Sequence, residues 1–199
     1  MRALLLKDGY VLLRQGRLML VFVIVFSLLY SGSLAGIAVT YAAMLPYTAI
    51  AYDERSKWDI YAAMMPYSTT ALVLEKYLLG WLAILASALL TLCAQLLLGT
   101  GLASTLAILG SSVGMGLLLL AFTLPAIFRF GVEKGRMIFF AGYFIAVALT
   151  SGLNSDVIGD IPLTLFLPAL PVAMLTAGVL AQLVSLPLAR RLYARAHRI

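Results

Sequence analysis

The chain has 199 residues, of which 63% are apolar and only 11% are charged. A soluble domain is about half apolar and a quarter charged, so this composition excludes a soluble protein and indicates that the excess apolar surface faces lipid. The 14 Lys and Arg residues and 8 Asp and Glu residues give a net charge of +6. These charges fall in the gaps between apolar runs, which indicates membrane topology and not a nucleic-acid-binding face.

Residues 2–17 precede the first apolar run and predict an amphipathic helix. Its polar residues fall on one helical face: Lys7, Asp8, Arg14 and Gln15. Its leucines fall on another face: Leu5, Leu6, Leu12 and Leu13. This pattern is typical of a helix that lies in the membrane interface and leads into a first span. A cleaved signal peptide is the alternative, because Ser33-Leu34-Ala35 resembles a cleavage site, but the basic region before the apolar core is too long for one.

The apolar runs predict six transmembrane helices, because one crossing needs about 20 apolar residues. The uncharged stretch from Leu18 to Ala51 is too long for one crossing, and Ser31-Gly32-Ser33 supplies a break in its middle. The predicted spans are residues 18–30, 34–51, 78–98, 102–128, 137–153 and 161–189, with a break in the sixth near Pro168 and Pro171. The predicted fold class is therefore all-α integral membrane, with the interfacial helix and six spans in a single transmembrane domain over residues 1–199.

The charged residues are distributed unequally between the two sides of this arrangement. All 14 basic residues lie on one side, whereas the other side carries only Asp156 and Asp160. The excess of Lys and Arg on cytoplasmic loops then predicts that both termini are cytoplasmic. Reading residues 18–51 as a single span would break this asymmetry, so the charge distribution favours six spans over five.

The one long loop, residues 52–77, falls on the predicted cytoplasmic side and is amphipathic at its centre. Pro66 is expected to end a helix that arrives from residues 59–64, since its ring blocks the next turn. Ser68, Thr69 or Thr70 can then cap a new helix that continues into the third span. A solvated connector with aromatic residues in the headgroup zone is the alternative interpretation of this loop.

Three short motifs in this region resemble the membrane subunits of ABC type-2 exporters. They are Glu54-x3-Trp58-Asp59-x-Tyr61, Met65-Pro66-Tyr67-Ser68 and Glu75-Lys76-Tyr77. Over its whole length the chain is similar to the small six-span permeases of bacterial peptide and drug exporters, including the phenol-soluble modulin exporter permeases. The resemblance implies a multi-pass protein of the bacterial plasma membrane.

The resemblance also implies a coupling helix that docks into a cytoplasmic ABC ATPase. The residues assigned to it are Pro66, Tyr67, Ser68, Thr69, Thr70, Glu75 and Lys76. The residues assigned to the loop or a gate are Glu54, Trp58, Asp59 and Tyr61. Two positions depart from the family pattern: Thr69 stands where a basic residue is common, and Tyr67 where a small or aliphatic residue is usual. The docking contact is therefore expected to be more apolar here.

A dimer is a further implication of the resemblance, with a second permease copy or a paralogue as the partner. In the resembling exporters the first and fifth helices meet across the dimer, which favours Gly142 and Ala146 as contact residues. Gly110 and Gly114 in the fourth span have the spacing that lets two helices approach closely. That pair serves either packing within the chain or a subunit contact.

The absence of several motifs narrows the choice of function. No Gly-x4-Gly-Lys-Ser/Thr phosphate-binding loop is present, so ATP and Mg are expected on the partner ATPase, with no cofactor and no enzymatic activity on this chain. The predicted spans carry no charge, which argues against ion-driven transport and for energy supplied by a partner. A single Cys93 and a single His197 offer little for a metal site.

The favoured function is a permease that exports a hydrophobic or amphipathic substrate, such as a peptide, a lipid-like molecule or a drug. The alternative is a six-span substrate-capture subunit of a vitamin importer. That alternative needs a polar pocket open to the outside, and the short outer loops offer little for one. A membrane-anchored assembly factor without a transport role is a third possibility.

Overall fold

A computed structural model describes residues 2–28, 32–65, 67–99, 101–153 and 169–196. All regular secondary structure in these ranges is helical, which confirms the all-α class. The helices are α1 (Arg2–Gln15), α2 (Arg17–Leu28), α3 (Gly32–Ala42), α4 (Leu45–Arg55), α5 (Trp58–Met64), α6 (Thr69–Leu97), α7 (Leu102–Phe130), α8 (Val132–Leu153) and α9 (Leu170–Ala196).

Three of these helices, α6, α7 and α9, are long and apolar enough to cross a membrane. They contain the predicted third and fourth spans and most of the sixth, while α8 contains the predicted fifth. Helices α1 and α2 are long and apolar enough to cross a membrane only when they are taken together, and this pair is bent by 82°. Pro171 lies in the first turn of α9, where its missing N–H costs no helical hydrogen bond. Pro168 and the loop before it lie outside the described residues. The count of six spans stays a prediction.

The predicted second span, residues 34–51, is divided into α3 and α4 by a tight turn at Ala43 and Met44. The amides of these two residues donate to the carbonyls of Thr40 and Tyr41, three residues back in each case. The cause is Pro46, which has no N–H and whose ring would collide with the carbonyl of Ala42 in a continuous helix. Pro46 is accommodated in the first turn of α4 instead.

Helix α7 is at the centre of the bundle and packs against α3, α6, α8 and, most extensively, α9. Gly114 and Gly178 allow the α7–α9 approach, since a Cβ on Gly178 would lie 2.8 Å from the carbonyl oxygen of Gly114. A Cβ on Gly110 would lie 3.1 Å from Pro171 Cβ, also on α9. The Gly110-x3-Gly114 pair therefore serves packing within the chain.

Buried hydrogen bonds fix the same helices against one another. The hydroxyl of Tyr77 on α6 donates to Ser185 on α9 at 2.6 Å, because Ser185 donates its own proton to the carbonyl of Ala121 on α7. The side-chain amide of Gln182 donates to the carbonyl of Leu117 at 2.8 Å. Such interhelical bonds in membrane proteins each contribute roughly 0.6–2 kcal/mol.

Candidate functional site

Helices α1, α4 and α6 bring two lysines and two aspartates together at one end of the bundle, which we call the charged end. Lys76 Nζ lies 2.5 Å from Asp8 Oδ2 and 2.6 Å from Asp53 Oδ2. Lys7 Nζ lies 2.7 Å from Asp53 Oδ1 and 2.9 Å from Asp8 Oδ1. Each carboxylate thus bridges both ammonium groups, and the four side chains form a closed ring that we call the charge ring.

The charge ring is largely withdrawn from solvent. The side chain of Asp8 is fully buried and that of Lys76 is 8% exposed, against 21% for Lys7. Burial acts to raise the pKa of Asp8, but Lys76 and Lys7 together hold the pKa of this carboxyl below its usual value. Charges in this setting are tolerated only when they are paired and hydrogen-bonded, so each member depends on the others.

Glu75 lies beside the ring on α6, and its ion pair with Lys76 is the longest in this cluster. Its side chain is 1% exposed, and the nearest ammonium recorded, Lys76 Nζ, is 3.9 Å from its Oε1. That oxygen receives no hydrogen bond from an N–H group, and the Glu75 carboxyl is hydrogen-bonded to the carboxyl of Asp8. Asp8, Asp53 and Glu75 together exceed the two lysines by one negative charge when all five groups are ionised.

The charge ring also contacts α5, the short helix of the long loop. The ammonium group of Lys7 lies 4.4 Å from the ring centroid of Trp58, a cation–π distance. Lys57, just before Trp58, adopts the left-handed conformation with φ of 53°, which reverses the chain between α4 and α5. Helix α5 is therefore tied to α1 through a side chain and to α4 through a tight turn.

The structure differs from the sequence interpretation at two residues of the charged end. Asp8 was expected on the polar face of α1, but it is buried on the same face as Leu4 and Leu12, whereas Leu6 and Leu13 are exposed on the opposite side. The reason is its pairing with Lys76, which replaces the hydration that Asp8 loses. Glu54 was assigned to the loop or a gate, but it is exposed, and its neighbour Asp53 makes the ion pairs to Lys7 and Lys76.

The predicted helix start at residues 68–70 is confirmed. Ser68 is the N-cap of α6, and its hydroxyl accepts a hydrogen bond from the amide of Ala71 at 3.2 Å. Thr69 and Thr70 are exposed in the first turn, and Tyr67 is half-buried just before it. Pro66 lies outside the described residues.

Glu75 and Lys76, which were assigned to the coupling helix, lie inside the bundle and not on its surface. Helix α6 is continuous from Thr69 to Leu97, so residues 69–76 belong to the same helix as the predicted third span. Glu75 and Lys76 lie about two turns inside α6 and face the charge ring, where they are 1% and 7% exposed. A partner protein cannot reach them without opening the bundle.

Helix α5 contains the remaining residues assigned to the loop, Trp58, Asp59 and Tyr61. Ala62 is buried and Trp58 is half-buried against the bundle. The exposed surface of α5 carries a group of large apolar side chains that we call the α5 patch: Ile60, Tyr61, Met64 and, in the following turn, Met65. Of the described residues in the long loop, these form its most exposed apolar surface.

Two cavities open near the charged end. A cavity of about 350 Å³ is enclosed by α4, α5, α6, the α7–α8 turn and the end of α9. A larger cleft of about 910 Å³ separates α8 from α2, α3 and α4. Three methionine and three tyrosine side chains line the cleft, and Glu54, Arg55, Glu133 and Arg136 line one end of it.

The two residues assigned to a dimer contact lie on α8. A Cβ on Gly142 would be 3.4 Å from Leu119 of α7, an ordinary contact within the chain. Ala146 lies one turn further along α8.

In the described part of the chain, no group of His, Cys, Asp and Glu side chains is arranged to hold a metal ion.

A family model described as "ABC-2 family transporter protein" matches residues 3–193, nearly the whole chain. The chain belongs to this family. It is therefore a membrane-embedded permease subunit of an ABC transporter. Neither a curated protein nor a solved structure matches it significantly.

Membership of the family confirms the ABC type-2 resemblance and the transport role. In this family ATP hydrolysis belongs to separate partner proteins, and permeases associate with ABC ATPase subunits. The motif residues at positions 54–77 pointed to the family correctly. Sequence reasoning missed Asp8 and Asp53 as the partners of Lys76, and Lys7 as the second cation of the charge ring. The available signal was an acidic residue at the i+4 spacing between Leu4 and Leu12.

Proposed function

We propose that this permease exports a hydrophobic or amphipathic molecule from the cytoplasm of a bacterial cell, driven by ATPase subunits that dock on α5. The observation that carries the proposal is the α5 patch, because it is an exposed apolar surface on the shortest of the described helices, which lies between α4 and α6. ATP and Mg are bound by the ATPase subunits, and the permease itself has no ATPase activity.

Three connections would carry a displacement of α5 into the bundle. The left-handed turn at Lys57 joins it to α4, residues 65–68 join it to the start of α6, and Lys7 on α1 lies over Trp58. Because Asp53 and Lys76 lie close to these junctions and are paired at 2.6 Å, α4 and α6 would move together. ATPase docking at α5 thereby acts on two spans at once.

The substrate class is supported by the composition of the cleft beside α8. Met19, Met44 and Met137 offer adaptable apolar contacts. The charged residues at one end, two acidic and two basic, suit a polar group on the same molecule. A molecule with an apolar body and a polar end matches this distribution.

The α8 surface supports assembly with a second permease copy or a paralogue. Its large apolar side chains Met137, Phe140, Phe144 and Ile145 are exposed in the single chain. We propose that Gly142 and Ala146, on this helix, lie at the contact. The remaining exposed apolar surface of the bundle faces lipid, as does the outer face of α1 with Leu6, Tyr10 and Leu13.

Removal of the α5 patch tests the docking proposal. The double variant Tyr61→Ala/Met64→Ala is expected to weaken association with the ATPase at least about tenfold, since exposed aromatic anchors contribute roughly 1–2 kcal/mol or more to an interface. Co-purification and titration of the ATPase onto the permease in nanodiscs measure this. The matched control is Leu85→Ala/Leu89→Ala, which removes exposed apolar side chains from the lipid-facing side of α6.

A different result would relocate or remove the docking site. If the α5 variant binds the ATPase normally while Tyr67→Ala or Thr69→Ala does not, the site is the start of α6. If no variant of residues 58–70 changes association or coupled hydrolysis, the loop is only a connector.

The direction of transport is tested in inside-out vesicles. Export predicts that labelled substrate accumulates inside these vesicles when ATP is added, and transport in the opposite direction would support the importer alternative.

Cysteine labelling tests the proposed orientation of the charged end. A Cys93→Ala background is needed because Cys93 is exposed on α6. In whole cells, Gly101→Cys is expected to react with an impermeant maleimide, whereas Ser56→Cys and Lys134→Cys are expected to react only after permeabilisation. Labelling of Ser56→Cys in intact cells would show that the charged end faces outward.

A further inference from the structure

The charged end holds two carboxyl groups in direct contact. The side chain of Glu75 is 1% exposed, and its carboxyl is hydrogen-bonded to that of Asp8, the fully buried member of the charge ring. An ionised carboxylate can only accept hydrogen bonds, so a bond between two carboxyls requires a proton on one of them. The contact between Asp8 and Glu75 is therefore a position where a proton can be held.

The charges around this contact favour a bound proton. The charged and titratable groups of the described residues that face Glu75 are Lys7 and Asp8 on α1, Asp53 and Glu54 on α4, Lys76 on α6, Arg129 on α7 and Tyr193 on α9. Glu54 and Arg129 have opposite charges, and both are exposed, so water screens them. The three other carboxyls and the two lysines carry one net negative charge when all are ionised, and a single proton neutralises it.

Glu75 is the partner that holds the proton. Lys7 and Lys76 lie 2.9 and 2.5 Å from the oxygens of Asp8 and keep the pKa of this carboxyl low, whereas Lys76 is 3.9 Å from Glu75. Burial raises the pKa of Glu75 to about 7, because the charge and the hydrogen bond of Asp8 act in the same direction and outweigh the lysines together with it. The proton is therefore released near neutral pH.

We propose that the charged end binds one proton between the carboxyls of Asp8 and Glu75, and that release of this proton weakens the contact of α1 with α6. Without the proton, two buried carboxylates repel each other across this contact, and the cluster is left with an uncompensated charge. Because α1 is also joined to α4 by the ion pair of Lys7 with Asp53, the proton acts on both helices that flank α5.

Infrared difference spectroscopy detects the proton directly, because a protonated carboxylic acid has a carbonyl stretching band that a carboxylate lacks. The sample is the full-length permease in nanodiscs of ether lipids, which contain no ester carbonyl. A band that disappears with a midpoint near pH 7 is expected for the parent. Glu75→Gln is expected to remove this band, and the matched control Glu133→Gln, which changes an exposed carboxylate of α8, is expected to keep it.

Two further variants distinguish a shared proton from a packing role of Glu75. Asp8→Asn leaves Asp53 and Glu75 opposite two lysines, so Glu75 can ionise without an excess of negative charge. The midpoint of the band is expected to fall by at least about one pH unit. Lys7→Met removes a cation and is expected to raise the midpoint. A purely structural role of Glu75 would leave the midpoint unmoved in both variants.

The effect on the fold follows from the same proton. A glutamate in the unfolded chain releases its proton near the ordinary value of 4.5, whereas Glu75 in the folded permease retains it to about 7. Between these values the folded state binds more protons, so the stability of the parent is expected to fall as the pH rises from about 4.5 to about 7. Glu75→Gln, which is neutral throughout, is expected to lack this part of the pH dependence in thermal unfolding.

Three results would overturn the proposal: no protonated-carboxyl band in the parent just below neutral pH, a band retained in Glu75→Gln, or a midpoint that Asp8→Asn does not move. An equal pH dependence of stability in Glu75→Gln and the parent would overturn the proposed effect on the α1–α6 contact. The spectrum of the parent needs no substitution, so a variant that fails to fold does not remove the test. Neither measurement needs ATP or an ATPase, so a negative result leaves the exporter proposal standing.

Discussion

Replacement of Lys76 by methionine is expected to destabilise the permease by about 3–5 kcal/mol, the usual cost of removing one partner from a buried ion pair. Methionine has a similar length and no charge. The substitution leaves Asp8, which is fully buried, and Asp53 with only Lys7 as a partner, and Lys7 is the more exposed of the two lysines. The measurement is the unfolding of Lys76→Met against the parent in detergent, followed by heat or denaturant.

Two controls separate charge from packing. Lys7→Met is expected to cost less, because the Lys7 side chain is 21% exposed and its contribution is partly screened by water. The triple variant Asp8→Asn/Asp53→Asn/Lys76→Met is expected to recover part of the loss, since it removes the stranded carboxylates together with their cation. Equal stability of Lys76→Met and the parent would mean that α1 is not held against α4 and α6 by the charge ring.

Alanine at Gly114 is expected to reduce the free energy of unfolding by about 1–3 kcal/mol, as overpacking does in a well-packed interior. A Cβ there would overlap the backbone of Met174 and Leu175 on α9, and a backbone cannot rotate away as a flexible side chain can. Helices α7 and α9 would have to separate, which would strain the nearby bond from Gln182 to the carbonyl of Leu117.

Gly116→Ala is the matched control for Gly114→Ala. It lies on the same helix two residues away and receives the same gain in helix propensity, up to about 1 kcal/mol. Its added Cβ would be 3.4 Å from Ile84 Cδ1, near the lower limit of ordinary contact with the end of a flexible side chain. Equal stabilities of the two variants, measured by thermal unfolding in the same detergent, would contradict the close approach of α7 and α9.

The sequence alone was sufficient to predict those structural features whose physical cause is local. Long apolar runs require burial or lipid whatever the tertiary arrangement, so the membrane class and the helices that contain residues 78–97 and 102–128 followed directly. The cap at Ser68 and the end of α5 at Met64 depend on residues within one turn. The motifs at positions 54–77 indicated the ABC type-2 family, which the match over residues 3–193 confirms.

The tertiary structure decided which residues of each helix meet. Asp8 and Lys76 are 68 positions apart and Lys7 and Asp53 are 46 apart, and no periodicity in either helix shows that they are partners. A helical pattern gives the faces of α1 but does not show which face the bundle covers, so Asp8 was placed on the outside. For the same reason Glu54, and not Asp53, was assigned to the site. Glu75 and Lys76 looked like loop residues because a charge ordinarily marks the end of a span. They are buried because the rotation of α6 aims Lys76 at two carboxylates from other helices, and that pairing offsets a desolvation cost that the sequence alone treats as prohibitive.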